Sequence, residues 1–272
     1  MRRQRIRKAL IIISLLLFPA TINYFSPYII IDGASHGIVN GGFITFALLF
    51  LVSLFLGRIF CSWICPGAGL QECLFMVRNK RAPGGRCDWI KYFIWVPWFS
   101  AVAVMAVLAG GYHAINPLHL TEEVVSVAEP MAYINYYFIV SIFVILSLTC
   151  GKRAFCHYVC WMAPFMIVGR RIRNLVSWPS LRLKPDRSKC ISCMTCSQNC
   201  PMSLNVEGMV QKGLMENREC ILCGTCVVGC PQGVIRYAFS SGVGQLEQLG
   251  STGVESSEFR VEGSTSKIHE NG

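Results

Sequence analysis

Eight cysteines obey one spacing twice, and no other feature of this 272-residue chain limits its fold as tightly. Cys190, Cys193, Cys196 and Cys200-Pro201 read C-x2-C-x2-C-x3-C-P; Cys220, Cys223, Cys226 and Cys230-Pro231 repeat it. Three thiolates three residues apart wrap three corners of an iron–sulfur cubane, and the fourth reaches the other cluster. The spacing therefore assigns Cys190, Cys193, Cys196 and Cys230 to one [4Fe–4S] cluster, and Cys220, Cys223, Cys226 and Cys200 to a second. Pro201 and Pro231 stop the local helix and turn the chain away. Paired C-x2-C units also hold zinc, but the extra C-x3-C-P in both copies argues against it. Ile191, Ile221, Leu222, Val227, Val228, Val234 and Ile235 are expected to form the small core between the clusters.

The rest of the chain is of another kind. Apolar residues make up 53% of the sequence and charged residues 15%, against about 25% charged in an average soluble domain. A disulfide scaffold does not suit fifteen clustered cysteines in so apolar a chain. Four uncharged stretches are long enough to span a bilayer: 9–31, 33–57, 92–121 and 130–151. The end of the third, around Asn116-Pro117, is expected to be loop. The first has a basic start like a secretory signal, but its uncharged run of 23 residues is long for one and no small-x-small cleavage site follows.

Charge sets the orientation. Basic residues fall in the N-terminal segment, in the 58–91 connection and after residue 151. The other two connections hold only acidic charges, Asp32 and then Glu122, Glu123 and Glu129. Both termini and the 58–91 connection should therefore be cytoplasmic, in a multi-pass protein of the cell membrane. The net charge of +10 sits beside hydrophobic segments, so the expected partner is membrane lipid rather than nucleic acid.

Two further cysteine pairs repeat as well. Gly57-Arg58-Ile59-Phe60-Cys61 leads to Cys65-Pro66, and Gly151-Lys152-Arg153-Ala154-Phe155-Cys156 leads to Cys160-Trp161, 95 residues later. Cysteines four apart share one helical face. Two such halves, brought together, make a four-thiolate site for a third cluster or a metal ion. Redox-active thiols that form a disulfide, or small buried residues, are the alternatives. Cys73 is a further candidate ligand beside Cys61 and Cys65.

The expected architecture is mostly α. A four-helix transmembrane bundle of two repeated helical hairpins (9–151) follows a basic N-terminus (1–8). An interfacial Cys-x3-Cys segment and linker (152–185) then leads to a small α+β bacterial-type 2[4Fe–4S] ferredoxin domain (186–239). Residues 240–272, rich in Gly, Ser and Glu, read as a disordered tail.

These motifs together resemble the membrane polyferredoxin family of the NapH type, whose core NosR-type and CcoG-type proteins share. The resemblance rests on Gly57-Arg58…Cys61-x3-Cys65-Pro66, on Gly151…Cys156-x3-Cys160 and on the eight ferredoxin cysteines, and covers about residues 9 to 239. It implies electron transfer between the quinone pool and a redox partner, as a quinol dehydrogenase subunit of an oxidoreductase complex. A metal-cofactor assembly or metal-reductase role and a redox sensor are the other classes it leaves open. Trp161 stands where the family usually has proline. Candidates for a quinone site are His36, His113 and His119, near the outer face.

Overall fold

The computed structural model describes residues 2–120, 126–127 and 130–241. Glu122, Glu123 and Glu129, and residues 242–272 of the expected tail, lie outside them.

The chain opens with α1 (Arg2–Leu16), which stops one turn before Pro19. Pro19 has no N–H to donate to Leu15, and its ring crowds that carbonyl. The chain resumes as α2 (Phe18–Thr21) and a 3-10 turn to Phe25, at 63° to α1. A short α3 (Pro27–Ser35) and β1 (Ile38–Asn40) follow. Asn40 then caps α4 (Gly41–Leu56), its side chain accepting from Phe43 N at 2.9 Å. Two short helices, α5 (Phe60–Trp63) and α6 (Pro66–Cys73), precede α7 (Ile90–Leu108). Gly110 and Gly111, both at positive φ, turn the chain out of α7. It enters β2 (Ala114–Asn116), which lies parallel to β1.

After α8 (Pro130–Cys150) come α9 (Ala154–Tyr158) and α10 (Ala163–Leu175). The last part holds β3 (Ser180–Pro185), α11 (Thr195–Gln198), α12 (Val206–Gln211), α13 (Thr225–Gly229) and β4 (Ile235–Ser240). β3 and β4 pair antiparallel, Ser180 opposite Ser240 and Pro185 opposite Ile235. Residues expected to be linker thus supply one strand of the C-terminal sheet.

Two helical stretches are long and apolar enough to cross a membrane, Cys87–Leu108 and Tyr133–Cys150, and the bent pair through Phe25 makes a third if counted as one span. α4 is apolar but has 16 residues, which reach about 24 Å against a hydrocarbon core of about 30 Å. The four expected spans therefore resolve into two full-length helices, one bent at Pro19 and one short. The repeat also differs from a pair of hairpins. Each unit is a long helix, a short helix carrying the first cysteine of Cys-x3-Cys, with the second just beyond it, and a further helix: α4–α5–α6 and α8–α9–α10. The units exchange their last helices, since α10 packs along α4 and α6 against α8.

Phe18, Ile22 and Val127 form a small apolar core, and the main one runs from Ile30 and Phe46 past Cys61 and Met166 to Val206 and Ile235. Ile221, Leu222, Val234 and Ile235 lie in it as expected, whereas Ile191 is 62% exposed and Val228 39%. Met202, Val206, Val210 and Met215 fill the core instead.

Each unit turns between its helices on a glycine at positive φ, Gly57 at 60° and Gly151 at 110°. A Cβ on Gly151 would stand 2.6 Å from the Lys80 carbonyl oxygen, whereas one on Gly85, at φ 96°, meets nothing within 4 Å. Backbone strain of this kind costs about 1–3 kcal/mol. Gly85→Ala should lose that much and Gly151→Ala clearly more, read as thermal unfolding midpoints; equal losses would show that residue 80 yields freely.

Candidate functional site

The two C-x2-C-x2-C-x3-C-P loops fold alike. Ser192 and Leu222, Met194 and Gly224, and Ser203 and Gly233 all take positive φ, each pair 30 residues apart. Left-handed residues between the cysteines turn successive amides toward a common centre, an arrangement suited to anionic sulfur. Two cavities result. Cys190, Cys193, Cys196 and Cys230 line one, and Cys200, Cys220, Cys223 and Cys226 line the other. Each thus gathers three cysteines of one copy and the last of the other copy, as the spacing predicts. The two cavities match each other in size, so they suit occupants of one size.

Their settings differ. Cys193 is exposed, whereas Cys200, Cys223 and Cys226 are buried. Burial, with Cys223 nearby, pushes the Cys200 thiol up to about 12. Burial and the neighbouring cysteines raise the Cys226 thiol well above its ordinary value.

The exchanged units bring Cys61, Cys65, Cys156 and Cys160 together, all buried. Burial raises the Cys65 thiol most, and Cys61, Cys156 and Cys160 raise it further. The backbone amide of Ala68 bonds to the Cys65 thiol and that of Ala163 to Cys160, each at the start of a helix. Gln71 Nε2 lies 3.3 Å from Cys156 Sγ, and Met166 Sδ 3.8 Å from Cys61 Sγ. Cys73 stays outside this set, at the far end of α6. Trp161 takes another job than the proline it replaces: its Nε1 donates to Phe25 O at 2.9 Å, and Pro164 serves as the N-terminal proline of α10.

Zinc–thiolate bonds of about 2.3 Å would hold tetrahedral sulfurs roughly 3.8 Å apart. Among the described residues no three cysteine thiols lie within 4.8 Å of one another. This holds for the ferredoxin sets and the inner set alike, so none of the three is drawn in to the spacing of a tetrahedral zinc site.

Buried charge binds these sites to one another. Arg58 and Arg153 are equivalent in the two units, and both are fully buried. Arg58 Nη1 donates to Glu219 Oε2 at 2.9 Å and to Arg218 O, while Lys91 Nζ reaches Glu219 Oε1 at 2.6 Å. Arg153 crosses to the first unit, where it donates to Cys61 O at 2.7 Å and pairs with Glu72. Arg7 grips the same carboxylate with both nitrogens, at 2.7 and 3.0 Å. Burial alone would raise Glu219, but Arg58 and Lys91 more than offset it and hold it at about 2. Glu216 is held at about 2 in the same way, chiefly by Arg170. Arg58 Nε and Nη2 and Arg153 Nε are buried without a hydrogen-bond partner. Such donors beside four thiols fit an anionic occupant.

The ferredoxin loops sit directly on this frame. Ser62 Oγ donates to Ile221 O at 2.8 Å, Gln4 Nε2 to Cys223 O at 3.0 Å and Arg170 Nη1 to Cys220 O at 2.8 Å. Cys156 and Cys223 both act on Arg153, which places the buried ferredoxin set next to the inner set. None of these carboxylates was legible as a site residue: a Glu beside a cluster cysteine looks like any surface acid until the fold buries it.

A further cavity of about 450 Å³ is lined only by apolar and aromatic side chains, among them Phe46, Trp95, Trp98 and Phe165. Neither His36, His113 nor His119 lines it. The Trp95 indole N–H is buried without an acceptor.

Two families match the chain. A 4Fe-4S binding domain family covers residues 41–83 and 134–179, which are the two exchanged units, and a 4Fe-4S dicluster domain family covers 189–235. "Putative electron transport protein YccM" of Escherichia coli is 25% identical over 70% of this chain and 54% of its own length. Protein RdxA of Cereibacter sphaeroides is 27% identical over 58% of the chain and 38% of its own length. The methylamine utilization ferredoxin-type protein MauN of Methylobacillus flagellatus is 25% identical over 54% and 50%. The chain spans about half the length of the curated relatives it matches. No solved structure matches it. The chain thus carries 4Fe–4S domains of ferredoxin type, and its relatives support an iron–sulfur electron-transfer function.

Glu219→Gln would leave Arg58 and Lys91 buried against a neutral amide, a change that costs about 3–5 kcal/mol when one partner of a buried pair is lost. The expected readout is a lower thermal midpoint of the whole protein; an unchanged midpoint would show that the seam does not rest on this residue. Glu216 and Glu219 are held at about 2, below the 4.5 of an ordinary glutamate. Their contribution is complete above about pH 4.5 and is lost as pH falls toward 2. Proteolysis between α10 and β3 should accelerate across that window and not above it.

Proposed function

We propose that this protein is a membrane-bound electron carrier that passes electrons between the quinone pool and a redox partner protein through three [4Fe–4S] clusters. The observation that carries the reading is the succession of three four-thiol sites within one continuous core. Cys190, Cys193, Cys196 and Cys230 hold the outermost, nearest solvent. Cys220, Cys223, Cys226 and Cys200 hold the next, and Cys61, Cys65, Cys156 and Cys160 the innermost. Bound there, such clusters supply one-electron transfer.

The chain's own groups prepare each site. The unpaired N–H groups of Arg58 and Arg153 offset the negative charge of ligated thiolates, which favours reduction. Gln71, Met166 and the surrounding aromatic rings keep water from the inner set. The exposed Cys193 edge is where the redox partner approaches. At the other end the 450 Å³ cavity suits a quinone head group, which needs an apolar slot with few polar contacts. Trp95 Nε1 supplies one donor to a quinone carbonyl. Phe165 lines this cavity and the next residue, Met166, touches Cys61 Sγ, so the cavity and the inner set share a wall.

The apolar lengths of α7 and α8 and the positions of the basic segments support a reading in which the ferredoxin end and both termini face the cytoplasm of a multi-pass membrane protein. The thioether of Met166 beside Cys61 also favours a second reading, a soft Cu(I) ion at the inner set in a metal-handling protein.

Anaerobically purified protein, titrated with a quinol analogue and followed by EPR, should show reduced-cluster signals. Failure of quinol to reduce any cluster, at potentials where reduction is allowed, sinks the quinone link. Iron analysis should give about twelve irons per chain. Replacing Cys61, Cys65, Cys156 and Cys160 by Ser should leave about eight. Copper bound stoichiometrically to the unaltered protein, with iron already at eight, would favour the second reading.

A further inference from the structure

We infer that Asp32, His36 and His119 form a binding site for a divalent transition-metal ion, zinc in type, at the end of the molecule remote from the ferredoxin loops. One ligand atom of each residue lies within 4.8 Å of the other two, the only such trio among the described residues. His119 Nε2 stands 2.7 Å from Asp32 Oδ2, and His36 Nδ1 3.7 Å from the same oxygen. Zinc bonds of about 2.1 Å put tetrahedral ligand atoms roughly 3.4 Å apart, a value those two distances bracket. Two imidazoles and a carboxylate are a donor set that zinc accepts with its fourth position open to water.

The site is built from two remote segments that the fold fixes against each other. Asp32 and His36 are four apart at the end of α3, and His119 follows β2. The parallel pairing of Ile38–Asn40 with Ala114–Asn116 holds these segments in register. His113 N also donates to Gly37 O at 2.9 Å, His119 N to Asn116 O at 3.2 Å and Asn23 Nδ2 to Leu120 O at 2.9 Å. His36 Nδ1 also lies 2.9 Å from the Asp32 carbonyl oxygen and 3.2 Å from Ser35 Oγ, contacts that turn this nitrogen toward Asp32.

The charge balance favours a cation. Between residues 9 and 57, and again between 92 and 151, the sequence has no Lys or Arg. The whole end of the molecule therefore meets a metal ion with Asp32 and no competing basic side chain. The site is also separate from the clusters. Lys91, at the start of α7, touches Glu219 beside the ferredoxin loops. His119 lies beyond the other end of that 19-residue helix, about 28 Å long at 1.5 Å per residue.

An ordinary aspartate–histidine hydrogen bond is the competing account, and metal content tells the two apart. The cluster-loaded full-length protein in detergent is incubated with zinc, freed of excess by gel filtration, and analysed for zinc and iron together. The unaltered protein should retain one zinc more than Asp32→Asn, His36→Gln and His119→Gln, with iron unchanged in all four. His113→Ala, a neighbour outside the trio, should retain the full amount. Zinc should also raise the thermal midpoint of the unaltered protein and of no trio variant. Retention of the same zinc by any one of the three variants overturns the site, as does the absence of bound zinc from an unaltered protein with full iron content.

Discussion

The structure depends on buried positive charge held by glutamates across the seam between the helical half and the ferredoxin loops. Arg58 and Lys91 belong to the helical half, and Glu219 directly precedes a cluster-loop cysteine. Arg153 and Arg7 close on Glu72 in the same manner inside the helical half. A charge taken out of water is costly unless its partner is in place, and removing one partner costs more than the pair contributes. The seam is therefore specific as well as strong. Only a docking that seats Glu219 between Arg58 and Lys91 satisfies all three groups. The ferredoxin loops are fixed at one distance and one angle from the inner thiols, which is what transfer between fixed centres requires.

The duplicated unit explains how two arginines come to flank four thiols. Each copy supplies one arginine and two cysteines, and Arg153 of the second copy reaches the Cys61 carbonyl of the first. The pair of copies has diverged where the surroundings differ. Pro66 starts α6 directly after Cys65, whereas Trp161 follows Cys160 and reaches out to Phe25, deferring the start of α10 to Ala163. A proline fixes φ locally, but an indole can tie the turn to the N-terminal helices.

Local patterns were legible and long-range ones were not. The cysteine spacing foretold both ferredoxin cavities residue by residue, because a strict spacing fixes which thiols can share a centre. The 95-residue repeat suggested one grouping of Cys61, Cys65, Cys156 and Cys160 but left Cys73 as another partner for the first pair, since spacing alone does not say which elements meet. Helix positions were legible from apolar runs, but the bend at Leu16–Pro19 and the shortness of α4 were not, since an uncharged stretch shows no break until hydrogen bonding is counted. Ile191 and Val228 were placed in a core that Met202, Val206, Val210 and Met215 occupy, as apolar type alone does not say which way a loop residue points. Glu72, Glu216 and Glu219 carried no signal at all: the side chains that hydrogen-bond their carboxylates lie between 42 and 161 residues away. The pairing of Asp32 with His119 is of the same kind, made by two three-residue strands too short to announce themselves.

The exchange of α6 and α10 between the two units has a consequence in time as well as in space. A nascent chain that has reached Cys150 has built α4, α5 and α6, yet it presents only two of the four inner thiols, and Glu72 of α6 has Arg7 but not yet Arg153. The inner site closes only when α9 and α10 arrive, and the surface they complete is the one on which the ferredoxin loops then settle. Assembly thus runs from the helical half outward. The deepest centre must be finished, or at least enclosed, before the last-made part of the chain has anywhere to rest.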